Sequence, residues 1–169
     1  MTSNKKERPI VKIELTLWDK SLEMLGWFIL IMFWILTILN YSNIPGTIPT
    51  HFDLTGKPDG FGDKSSIFIL PVISSVLYIG MTILNRFPHI FNYPTKITNQ
   101  NAERQYTIAT KLIRYLKLVV VFAFSSIGLM TSLTANNILS GLGIWFLPLF
   151  MGLVFLPLIY SIIKLFKAT

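Results

Sequence analysis

Cysteine is absent from the 169 residues, which excludes disulfides, thiolate metal sites and cysteine nucleophiles. Histidine occurs twice, and Asp, Glu, Lys and Arg make up 14% of the chain against a hydrophobic share of 52%, with a mean hydropathy of +0.58. Soluble domains carry about 25% charged residues, so this balance points to a membrane. The scarcity is also uneven: residues 118–163 hold no charged side chain over 46 positions, more than one crossing can use. That stretch must fold back, and "TANNILSGLG" at 134–143 supplies the polar and glycine residues of a tight turn. A soluble helical bundle would need polar faces, and runs such as "WFILIMFWILTIL" have none.

What is present reads as an all-α integral membrane protein with four transmembrane helices, in runs 24–39, 67–85, 118–133 and 142–163. Glu23 at the head of the first run is expected to snorkel to the headgroups. Thirteen of the 15 basic residues, Lys5 and Lys6 among them, lie in the N-terminal segment 1–23, the connection 86–117 and the tail. The first connection, 41–66, has only Lys57 and Lys64, so the positive-inside rule puts both termini in the cytoplasm and this loop outside. The organisation expected is a cytoplasmic segment 1–23, a membrane domain 24–133, and a turn with a fourth helix over 134–169. The first apolar run lacks a small-residue cleavage site and reads as an uncleaved anchor, in the bacterial cytoplasmic (inner) membrane.

Within 86–117, the prolines of "FPHIFNYP" oppose a helix, whereas "NQNAERQYTIATKLIRYLK" has the caps and periodicity of one. Ala102, Tyr106, Ala109, Ile113 and Leu116 share a face, and Arg104, Lys111, Arg114 and Lys117 populate the rest. The pattern predicts a basic amphipathic helix lying on the cytoplasmic surface against anionic lipid before it turns in as helix three. No recognition motif accompanies the charge, so no nucleic acid partner is expected. In the last helix, Pro148 and Pro157 predict kinks.

The most polar stretch between the first two helices is "IPTHFDLTGKPDG", 48–60. Its prolines and glycines imply a defined compact shape, with "TIPTHF" extended and "DLTG" and "KPDG" as turns. Three readings of its chemistry stand. His51, Asp53, Asp59 and Asp63 could gather a divalent metal; His51 with an aspartate could act as a general base; or the aspartates could bond backbone amides and make the loop a folded cap or binding face. No serine elbow or phosphate loop accompanies them, so no enzyme and no cofactor is expected.

The pattern built on Ile48, Pro49, His51, Phe52, Asp53, Gly56, Pro58, Asp59, Gly60 and Lys64 resembles the bacterial membrane domain of unknown function 1648 (DUF1648), which also forms the N-terminal part of SdpI-like immunity proteins. "FNYPTKITNQNAERQY" is similar to what stand-alone members carry after their second helix. The resemblance implies a binding or sensing module, or an immunity-type one, whose functional face is His51, Phe52, Asp53, Gly56, Pro58, Asp59 and Lys64. The partner it implies is an extracytoplasmic peptide or membrane protein. In SdpI-like proteins a further multi-helix region follows, and the last two helices of this chain stand where that region would begin.

Overall fold

A computed structural model describes residues 8–168 of the chain. Lys5 and Lys6 lie outside the described residues. Among the described residues, four helices are long and apolar enough to cross a membrane. The first, α1 (Leu17–Asn40), starts well before the apolar run. A reciprocal capping box fixes that start: Asp19 N–H donates to Thr16 Oγ1, and Asp19 Oδ2 accepts from Thr16 N–H.

The polar connection is a β-hairpin, so the all-α expectation fails here. Strand β1 (Thr47–Phe52) pairs antiparallel with β2 (Pro58–Asp63). Two features of the segment favour strands: β-branched Thr47, Ile48 and Thr50 in the first, and a proline placed where the second begins. A 3-10 turn (Lys64–Phe68) then leads into α2 (Ile69–Leu84), with Asp63 Oδ1 accepting from Ser65 N–H as its cap.

After a short 3-10 turn at Pro88–Ile90, α3 runs unbroken from Ala102 to Ala135. The expected surface helix and the third crossing are therefore one continuous helix with no break between them. At 1.5 Å per residue its 34 residues span about 50 Å, beyond the ~30 Å of a hydrocarbon core. It is the central helix, packing against α1, α2, β1 and α4. Its C-terminus is closed by Asn137 at φ 57°, with Ile138 N–H donating to Leu133 O. The last helix, α4 (Phe146–Phe166), contains Pro157 in its interior and Pro148 in its first turn, where a missing N–H costs no bond. It packs along α3 and leaves most of its apolar surface open.

Side-chain bonds tie the ends of these helices into two groups. At one end, Gln105 Nε2 donates to Leu165 O and Ala168 O, joining the start of α3 to the end of α4. There too, Arg8 donates to His89 O and Phe91 O, and Tyr106 Oη donates to Pro9 O. At the other end, Ile44, Ile48 and Ile67 form a buried cluster with Ala135 against it, so the hairpin sits on the tip of α3. The chain thus runs up and down four times, with the hairpin and the α3–α4 loop at one end and Arg8, Arg104 and Lys167 at the other.

Candidate functional site

The hairpin's shape comes from two compensating irregularities. Between Pro49 and His51, Thr50 is an extra residue in β1; between His51 and Phe52, Asp59 is an extra residue in β2. Bulges re-aim side chains, and here His51 Nδ1 meets Asp59 Oδ1 at 2.5 Å. The pair stays open to solvent, with side-chain exposures of 72% and 48%. Contacts between side chains this exposed add little to stability, so the hairpin does not depend on the pair for its fold.

The other aspartates are engaged. Asp53 Oδ1 accepts from Thr55 N–H, Thr55 Oγ1 and Lys57 N–H, closing the turn between the strands. The Thr55 hydroxyl and the Lys57 amide, with lesser help, hold its carboxyl below the usual 3.8 despite some desolvation. Asp63 is lowered in the same way by Ser65. His51, Asp53, Asp59 and Asp63 are therefore not brought together, and among the described residues no group of three acidic or histidine side chains could hold a metal.

Gly56 belongs to the fold as well. Its φ of +80° suits glycine, and an added Cβ would lie 2.6 Å from the backbone of Gly143. Its carbonyl accepts from Leu142 N–H at 2.7 Å, pinning the hairpin tip to the α3–α4 loop. Lys64 lies over the Tyr41 ring, 4.6 Å from its centroid. Pro58 opens β2, and Phe52 is half-buried. Beneath the hairpin is a cavity of about 530 Å³, whose walls include Thr50, His51 and Phe52 from β1, Leu70 from α2, and Thr131 from α3.

The basic helix face divides. Arg104 and Lys111 are exposed, whereas Arg114 and Lys117 are buried between helices and are not a membrane-surface face. Lys117 Nζ donates to Glu23 Oε2 at 2.5 Å and to Thr82 Oγ1 at 2.7 Å, and lies over the Tyr78 ring. Arg114 stands 3.5 Å from both Asp19 and Glu23. Glu23 therefore pairs inward rather than snorkelling. Two acids from α1 meet two bases from α3, with Tyr78 Oη donating to Glu23 O from α2. A buried charge is tolerable only when paired and hydrogen-bonded. Spacing puts each like-charged pair on one side of its helix, Asp19 and Glu23 four apart on α1 and Arg114 and Lys117 three apart on α3, but does not say which helix that side faces.

Comparison with known proteins finds a family likeness over the hairpin. Residues 28–74 match the family model DUF1648, a domain of unknown function. The DUF1648 match takes in the hairpin and parts of the helices on either side. An uncharacterized protein of Archaeoglobus fulgidus is 30% identical over 112 residues, covering 62% of this chain and 61% of that protein. The chain thus spans less than two thirds of this relative's length. No solved structure matches.

Proposed function

We propose that the chain is a multi-pass membrane protein of the inner membrane that binds or senses an extracytoplasmic ligand at its hairpin end, in an immunity-type or signalling role, without catalysing a reaction. The observation that carries this reading is the cavity under the DUF1648 hairpin, with the exposed His51–Asp59 pair at its edge. Cavities of this size with a few polar groups on apolar walls are ordinary binding sites. Charge supports the orientation: Arg8, Arg86, Arg104, Lys111, Lys164 and Lys167 lie toward the end opposite the hairpin, the end the positive-inside rule assigns to the cytoplasm and to contact with anionic lipid.

A structural reading is favoured by Asp53, Asp63 and Gly56, which the hairpin uses for its own turns and docking. On that reading the loop closes the end of an accessory subunit. The two separate in host cells producing the chain and challenged with membrane-active peptides. Protection that His51→Ala and Asp59→Ala abolish at unchanged membrane level supports binding. Variants that lower yield and melting temperature instead, with protection tracking yield, support the accessory role.

A further inference from the structure

The cavity beneath the hairpin has mostly apolar walls with a few polar groups among them. Phe52 of β1, Leu70 of α2 and Ile127 of α3 are among the apolar residues that line it, and Thr50, His51, Ser66 and Thr131 supply its polar side chains. No Asp, Glu, Lys or Arg side chain lines it.

Two features fix its depth. The bond from Leu142 N–H to Gly56 O is made four residues before Phe146, where α4 begins, so the hairpin tip lies folded down level with the head of that helix. The side chains around the tip are apolar and exposed: Leu54 is 81% and Trp145 79% accessible, and Phe61, Ile138 and Ile144 stand open beside them. Exposed aromatic and aliphatic side chains at a helix end suit the layer where acyl chains meet headgroups. The hairpin side of the cavity, where His51 opens to solvent, therefore lies nearest the headgroups, and the side of Ile127 nearest the hydrocarbon. With Asp59 on Nδ1, His51 has Nε2 left for a second partner.

We infer that the ligand of this site is a bilayer lipid, its acyl chain lying between α2 and α3 under the hairpin and its headgroup meeting His51 at the rim. The inference rests on the reading of the hairpin end as the outer, ligand-binding end. A cationic amphipathic peptide fits less well, because no carboxylate lines the cavity walls and the one at its rim, Asp59, is already engaged by His51. The chemistry on offer is hydroxyls and one imidazole among hydrocarbon walls.

The test is native mass spectrometry of the full chain in mild detergent, titrated with phosphatidylglycerol. Wild type retains one lipid after washing; the cavity-filling substitutions Ile127→Trp and Thr131→Trp lower retention tenfold or more; His51→Ala lowers it several-fold; and Leu156→Trp, on the open face of α4, leaves it unchanged. A wild type that retains no lipid, or retention untouched in both cavity-filling variants at unchanged melting temperature, overturns the inference. So does a cationic amphipathic peptide that binds where the lipid does not. Should both tryptophan variants fail to fold, a phosphatidylglycerol with an acyl-chain diazirine decides on wild type: adducts at Phe52, Ile127 or Thr131 support the site, and adducts confined to α4 overturn it. Loss of lipid with the hairpin outside sinks the lipid inference alone, whereas a hairpin found in the cytoplasm sinks the outward reading whatever the lipid result.

Discussion

At the scale of single residues, the hairpin separates side chains that build it from side chains it displays. Gly56 builds it. Gly56→Ala places a Cβ at φ +80° against Gly143 and should cost about 1–3 kcal/mol, typical of a strained backbone position; a thermal melt and faster exchange of the Leu142 amide would show it. Asp53 builds it too, and its depressed carboxyl gives a pH signature. A lowered folded value means that the turn's contribution is fully present above the ordinary carboxylate value of 3.8 and is lost as pH falls through the folded value below it. Hydrogen exchange at the Thr55 and Lys57 amides should therefore accelerate only in strong acid, and Asp53→Asn should remove that carboxyl's share of the acid step. His51 and Asp59, exposed and paired only with each other, are displayed, so His51→Ala should leave the melting temperature nearly unchanged. Sequence alone named all of these residues but could not sort them, because Asx-turn bonds depend on which amides the chain brings within reach of a carboxylate.

At the scale of elements, α3 is where pattern and structure part. Its periodicity was legible: Ala102, Tyr106 and Ala109 are buried on one face as the spacing predicts. What could not be read is that Gln105, Thr110, Arg114 and Lys117 are also buried. Each is covered by a partner far away in sequence, and the acids that neutralise Arg114 and Lys117 come from α1, about 95 residues earlier. A charge at the end of an apolar run looks like a surface anchor until the neighbouring helix is known. Lys117 lies 18 residues, about 27 Å, from the end of α3, so its neutralisation matters wherever the boundary of the hydrocarbon falls. Lys117→Met leaves an excess negative charge among Asp19 and Glu23 and should cost about 3–5 kcal/mol. Combining it with Glu23→Met restores balance, and the double variant should lose less than the sum of the singles, by about 0.5–3 kcal/mol. Additive losses in denaturant or thermal unfolding would mean that the four groups do not act as one unit.

At the scale of the whole molecule, four apolar helices join two unlike ends. One end is basic, strapped by Arg8 and Tyr106 to the N-terminal segment and by Gln105 to the end of α4; the other carries the hairpin, pinned to the α3–α4 loop and roofing a mostly apolar cavity. The number of helices and the polarity of their charges were legible because long apolar runs and lysine placement act locally. The hairpin's docking and the cavity were not, since both arise where residues 48–70 meet 127–142. The division of labour between the ends turns on which side of the membrane each occupies. The absence of cysteine makes that directly measurable: Lys57→Cys at the hairpin and Asn99→Cys before α3 are exposed single sites. Intact cells carrying each should be treated with a membrane-impermeant maleimide. Reaction at Lys57→Cys in intact cells, with Asn99→Cys reacting only after lysis, is the result predicted here; the reverse pattern would put the hairpin in the cytoplasm and contradict an extracytoplasmic ligand.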